Sequence, residues 1–275
     1  MPNPANQFPP LPAAKATQIR ELLRDRKRRE AEQAFILEGE KPIAELLRAS
    51  PTALTTLVVT AEFVERCEPG LRRMLERGAA PLYQARASQL DGLSDVRTSP
   101  GILAVARRPV WKESVLLAKP RLFGIYAEEL QDPTNLGGLI RSALAFGVDA
   151  LWLSAGSVDV WNPKVVRGTA GAVLSLPIFA GAKAEALQGA DCVLMAACPQ
   201  GKRSQDIREI DTLPAKAIML LGNESRGLSE RLLNLAALRF HVPIDPAVES
   251  LNVATAAAIA LYHFRGLRRD RDPCE

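Results

Sequence analysis

Three stretches in the second half of the chain carry polar and charged residues where a plain core has no use for them. The first spans 130–147. Its Asp132-Pro133-Thr134-Asn135 is a turn and helix N-cap signal, and Gly137 and Gly138 follow in the first helical turn. Each glycine there costs about 1 kcal/mol against alanine, which makes sense where another backbone or a ligand comes close. Arg141 follows on the same helix, flanked by Ile140, Leu144 and Phe146. At the edge of a buried face its guanidinium calls for an anion or several acceptors, and an internal carboxylate would serve as well as a ligand. The second stretch, 218–228, is an apolar run ending at Gly222 and followed by Asn223, Glu224, Ser225, Arg226 and Gly227. Polar residues at the carboxyl end of a parallel strand lie where open α/β sheets bind ligands. A loop that merely leads into a helix at Ser229 would use the same residue types. The third, 240–258, is a short strand ending at Pro243, a loop, and a helix starting near Ser250-Leu251-Asn252. Ser250 or Asn252 is placed to cap it. That helix is rich in small residues (Ala254, Ala256, Ala257, Ala258, Ala260) and has no charge until Arg265, so it suits a close helix–helix or helix–strand contact.

The elements that must position these stretches follow from periodicity. Strands are expected over 121–126, 150–153, 192–197, 217–221 and 240–243, with helices over 135–146, 162–169, 183–188, 229–236 and 252–265. Strands separated by helices at this spacing argue for an α/β fold with a parallel sheet covered on both faces. Upstream, a smaller α/β unit is expected. Its strands are 35–37, 54–59, 82–83 and 101–106, and its helices 41–48 and 62–77, the latter interrupted at Pro69-Gly70. The expected organisation is a disordered, proline-rich lead over 1–14, a first domain over 15–107, a linker over 108–120, a second domain over 121–268 and a tail over 269–275.

The composition narrows the class. The chain has 275 residues, 47% hydrophobic and 24% charged, with a net charge of +4. These are globular values, and the mild basic excess permits an anionic partner without demanding one. A compact basic cluster at 15–29 (Arg20, Arg24, Arg26, Lys27, Arg28, Arg29) reads equally as a solvated helix or as a phosphate-contacting one. Cys67, Cys192, Cys198 and Cys274 include no C-x-x-C pair, and neither His241 nor His263 is near a cysteine. No metal site is expected, and reduced thiols in a cytoplasm are. No stretch approaches ~20 uninterrupted apolar residues, so no membrane span is expected.

Taken together and in this order, the three stretches resemble the SpoU–TrmH branch of the SPOUT RNA methyltransferases. The first motif is recognisable in Asp132-Pro133-Thr134-Asn135-Leu136-Gly137 through Arg141, the second in Leu221-Gly222-Asn223-Glu224-Ser225-Arg226-Gly227-Leu228. The third is recognisable in Val242-Pro243 with Glu249-Ser250-Leu251-Asn252-Val253-Ala254. The intervening Asn162-Pro163-Lys164-Val165-Val166-Arg167 is also similar to the family. Thr134 stands where members often have Gly, and Gly138 where Thr is common. The first domain resembles the family's ribosomal-protein-like RNA-binding domain, through Phe35-Ile36-Leu37-Glu38-Gly39-Glu40 and Gly101-Ile102-Leu103-Ala104-Val105.

The resemblance implies a parallel-sheet domain tied in a deep trefoil knot, a rare exception to chain topology. It implies S-adenosyl-L-methionine as cofactor, its adenosine held largely by backbone groups at Leu221, Gly222, Val242, Ile244 and Leu251. The absence of G-x-G-x-x-G after a strand counts against a Rossmann-type site. The implied reaction is methylation of a ribose 2′-hydroxyl, found in RNA and not in DNA, with Arg141, Asn135, Glu224, Ser250 and Asn252 as the catalytic set. An arginine of pKa above ~12 is a poor base, so electrostatic stabilisation of a developing alkoxide is the preferred role for Arg141. No metal is required. Family members are homodimers whose sites draw on both subunits. The added first domain favours ribosomal RNA over transfer RNA. The competing readings are a transfer-RNA 2′-O-methyltransferase and a non-catalytic RNA-binding protein with a degenerate transferase fold.

Overall fold

The computed structural model describes residues 8–78, 80–94, 99–201 and 203–269. Half of the expected lead and all but the first residue of the expected tail, with Cys274, lie outside them. The described chain forms two compact units, Met1–Val110 with Trp161–Leu174, and Trp111–Val160 with Ser175–Glu275. The first thus takes in a segment that the sequence reading assigned to the second domain.

The first unit begins with α1 (Ala13–Arg24) and α2 (Arg26–Glu32), then β1 (Ala34–Glu38), α3 (Glu40–Ala49), β2 (Leu54–Val59), α4 (Ala61–Arg66), α5 (Pro69–Glu76), β3 (Leu82–Gln84), α6 (Ala87–Asp91) and β4 (Ile102–Arg107). Its sheet order is β1-β4-β2-β3, with β4 antiparallel to β1 and β2, and β3 parallel to β2. The end of the expected lead is ordered: Pro10 bridges to Gln84, and Leu11 is buried. One helix was expected over 15–29; two are present. Asp25 is extended and its side chain accepts from Lys27 N, starting α2 afresh. Arg29 is 3% exposed and donates to the carbonyls of Leu22 and Leu23, which closes the end of α1. In the added segment, Trp161 packs on Phe35 with ring centroids 4.7 Å apart, and Arg167 faces the buried Glu38 at 4.0 Å.

The second unit holds α7 (Glu113–Leu117), β5 (Leu122–Ala127), α8 (Pro133–Ala145) and β6 (Ala150–Ser154). After α9 (Pro163–Gly168), which belongs to the first unit, come β7 (Ile178–Ala182), α10 (Ala184–Gln188), β8 (Val193–Ala197), β9 (Gln205–Asp206), β10 (Lys216–Leu221), α11 (Glu230–Leu235), β11 (Leu238–His241) and α12 (Val253–Arg269). The sheet order is β7-β6-β5-β10-β8-β11-β9, every pair parallel. All strands therefore present their carboxyl ends at one edge. The central β5 and β10 are apolar without alternation because both faces are covered. On one face Tyr126, Trp152, Ile218 and Leu220 meet α10 and α11. Phe264 of α12 packs edge-on against Phe123 and Phe240, with centroids 5.9 and 5.3 Å away. The expected linker contains α7, whose Glu113 accepts from the buried Trp152 indole at 2.6 Å. Strands β7 and β9 were not legible: one has Gly181 and two alanines, the other is two residues long.

Candidate active site

The polar residues of the three stretches sit at the carboxyl ends of β5, β10 and β11. Asp132 caps α8, accepting from Thr134 N at 2.7 Å, with Pro133 in the first turn, where its missing N–H costs nothing. That start buries Asn135 on the inner face of α8, at 7% exposure. Asn252 starts α12: its Oδ1 accepts from Ala254 N and Thr255 N at 3.0 and 3.3 Å. Of the two candidate caps, Asn252 is the one used. Ser250 is exposed, with no hydrogen-bond partner among the described residues.

Three catalytic candidates, 89 and 117 residues apart in sequence, form one hydrogen-bonded chain. Asn252 Nδ2 donates to Asn135 Oδ1 at 2.7 Å, and Asn135 Nδ2 donates to Glu224 Oε1 at 3.1 Å. The direction of this chain follows from chemistry. An ionised carboxylate only accepts, so the amide nitrogen of Asn135 must face Glu224, which turns its oxygen toward Asn252. Asn252 has spent its own oxygen on the backbone of α12 and offers its nitrogen. Glu224 also accepts from Asp132 N at 3.1 Å and Gln131 N at 3.4 Å, which ties the loop after β10 to the loop after β5. Burial alone would raise the Glu224 carboxyl. The hydrogen bonds from Asn135 and from backbone N–H groups outweigh it and hold the group below the ordinary glutamate value. Its contribution to stability is therefore present above the unfolded pKa and is lost as pH falls through the folded one.

Arg141 corrects one expectation. It is exposed on α8 and not at a buried edge, and it has no hydrogen-bond or ion-pair partner among the described residues. No internal carboxylate claims it, so its donors are available to an incoming anion. It lies one turn after Gly138, whose Cα faces Ala254 of α12; a methyl there would meet Ala254 Cβ at an ordinary 3.5 Å. The close approach inferred for that helix turn is thus mild. The severe one is at Gly222, where a Cβ would lie 2.1 Å from Gly227 C and 2.2 Å from Leu228 N.

The cofactor candidates occupy the same edge. Leu221 ends β10 and is buried; Gly222, Val242, Ile244 and Leu251 are half-buried in the loops that follow β10 and β11. The backbone groups of Ile244 and Leu251 make no hydrogen bond among the described residues. Half-buried apolar side chains beside uncommitted N–H and C=O groups fit an adenosine held by backbone contacts. Among the described residues no group of three or more His, Cys, Asp or Glu could hold a metal, and no helix is long and apolar enough to cross a membrane. Sequence reasoning missed Glu128, whose carboxylate accepts from Ser229 N and Oγ at 2.8 Å and fixes the far end of the 223–228 loop. A pair of glutamates directly after an apolar strand was the available signal.

Residues 123–262 match the SpoU rRNA Methylase family, and residues 16–104 match an MRM3-like substrate binding domain. A Bacillus subtilis protein, "23S rRNA (guanosine(2553)-2'-O)-methyltransferase RlmP", is 31% identical over 89% of this chain and 93% of its own. A Streptomyces viridochromogenes "23S rRNA (uridine(2479)-2'-O)-methyltransferase" is 26% identical over 90% of this chain and 88% of its own. The crystal structure of the SpoU methyltransferase AviRb from Streptomyces viridochromogenes, in complex with the cofactor AdoMet, superposes with a TM-score of 0.80 at 26% identity, covering 94% of this chain and 99% of that one.

Proposed function

The chain belongs to the SpoU rRNA methylase family, and from that premise we propose that it methylates a ribose 2′-hydroxyl of ribosomal RNA with S-adenosylmethionine. The observation that carries this reading is the Asn252–Asn135–Glu224 chain at the carboxyl edge of the sheet, on the helix that also carries Arg141, exposed and without a side-chain partner among the described residues. When bound, S-adenosylmethionine supplies an electrophilic methyl group. Leu221, Gly222, Val242, Ile244 and Leu251 hold its adenosine. Arg141 stabilises the negative charge that grows on the ribose oxygen. Asn135, oriented from both sides, and Ser250, with its hydroxyl uncommitted, position the sugar. Mapping 2′-O-methyl groups in RNA from cells with and without this gene tests the reading: one ribosomal position should lose its methyl group. An unchanged ribosomal map would overturn it, and a position lost from transfer RNA would replace the substrate.

The first unit is the RNA-binding part, of ribosomal-protein-like character, and its basic cluster divides by structure. Arg29 is a buried cap, Arg26 pairs with Glu30, and Arg28 pairs with Glu21 and Glu32. The side chains of Arg20, Arg24 and Lys27 are exposed, with no hydrogen-bond or ion-pair partner among the described residues. Arg20 and Arg24 stand one helical turn apart, which suits successive phosphates. Replacing all three with alanine should reduce the slope of log affinity against log salt by about two to three. An unchanged slope would place the RNA elsewhere.

We extend the reading to two features of the second unit. A trefoil knot belongs to the family reading of this unit, in which α12 reaches back to the end of α8, where Arg265 and Arg268 donate to the carbonyls of Ala145 and Gly147. A homodimer is supported by an exposed apolar stripe on α8 and α12: Leu144, Ile259 and Tyr262, the last 73% exposed beside Phe146. Sedimentation at micromolar concentration should read a dimer, and a strict monomer would contradict it. A cytoplasmic location belongs to the same reading.

A further inference from the structure

Glu129 sits just past the end of β5 in the left-handed backbone region, at φ 48. A residue with a side chain holds that conformation only where its surroundings over-determine it. Every polar group of Glu129 is engaged, one at the end of β6 and two in the loop after β10. Its N–H donates to Ser154 Oγ at 2.7 Å, at the end of β6. Its carbonyl accepts from Asn223 Nδ2 at 2.8 Å, and its carboxylate is paired with the Arg226 guanidinium. Asn223 in turn uses its Oδ1 to accept from Ser225 N and Arg226 N, and its N–H and carbonyl bridge to Gly227. The residue these contacts bracket is Glu224.

We propose that Glu129 is a positioning residue for methyl transfer: it fastens the 223–227 loop to the ends of β5 and β6, so that the Glu224 carboxylate meets Asn135. Among the described residues it makes no hydrogen bond or ion pair with a catalytic candidate, and it acts through Asn223 and Arg226. The proposal rests on the methyltransferase reading of the site.

The test uses the full chain and the variants Glu129→Ala, Glu129→Gly, and the exchange of Glu129→Arg with Arg226→Glu. Turnover, KM for RNA, cofactor Kd by calorimetry and the thermal midpoint are measured for each. Loss of the carboxylate should lower kcat about ten- to a hundredfold, as misplacing a catalytic constellation by about an ångström does. KM and cofactor Kd should stay within about twofold. Glycine relieves the left-handed backbone, so Glu129→Gly should be at least as stable as Glu129→Ala and lose as much turnover. The exchange should recover most of that loss. The Glu224 titration, followed by carbon-13 NMR, needs no activity and should move up toward the ordinary glutamate value in Glu129→Ala. A kcat within about twofold of the native chain, full recovery by glycine alone, or an unmoved Glu224 titration would each overturn the proposal. Absence of methyl transfer in the native chain would instead sink the functional reading, and the titration would still decide the role of Glu129.

Discussion

Arg141→Ala should cut methyl transfer about a hundred- to a thousandfold, the effect of removing one preorganised donor from a developing oxyanion. That corresponds to about 3–4 kcal/mol of barrier. The loss should fall on kcat with S-adenosylmethionine affinity retained, because the side chain is exposed on α8 and the cofactor candidates lie in the loops after β10 and β11. No ion pair tethers the side chain among the described residues, so its removal strands no buried partner and the fold should survive. Full activity in this variant would remove Arg141 from the mechanism.

Gly222→Ala should be the most damaging single methyl in the second unit. The added Cβ would sit 2.1 Å from Gly227 C, 2.2 Å from Leu228 N and 2.5 Å from Gly227 O. All three atoms are backbone, so no side-chain rotation relieves the overlap; the 223–227 loop must move. Overpacking of this severity costs about 3 kcal/mol, and displacing the loop withdraws Glu224 from Asn135. Denaturant unfolding should show the loss together with a fall in turnover. Gly138→Ala is the control. It meets only Ala254 Cβ at 3.5 Å and should be neutral or stabilising by up to about 1 kcal/mol. A native midpoint for Gly222→Ala would show that the loop is looser than its contacts suggest.

The parallel sheet was legible because buried strands read as apolar runs, and Asp132-Pro133 and Asn252 announced their helices through cap chemistry. Asn135, Glu224 and Asn252 could be named from motifs, yet their order in one hydrogen-bonded chain could not. That order depends on loops converging across 117 residues of sequence and on an acceptor-only carboxylate setting two amide orientations. The exposure of Arg141 was misjudged because its apolar neighbours Leu144 and Phe146 are themselves partly exposed. Periodicity reports which residues share a helix face and says less about which face is covered. The assignment of 161–174 to the first unit was equally hidden, since Trp161 and Arg167 find Phe35 and Glu38 only in three dimensions. Glu129 escaped notice because its left-handed backbone and its partners in the 223–227 loop, 94 and 97 residues away, exist only in three dimensions.

The most direct measurement is chemical. The purified chain is incubated with S-adenosylmethionine labelled on its methyl group and with unmodified ribosomal RNA, and the RNA is digested to nucleosides. Label should appear in a single 2′-O-methyl nucleoside. Label on a base, or none in RNA while the cofactor binds, would contradict a ribose methyltransferase built on Arg141, Asn135 and Glu224.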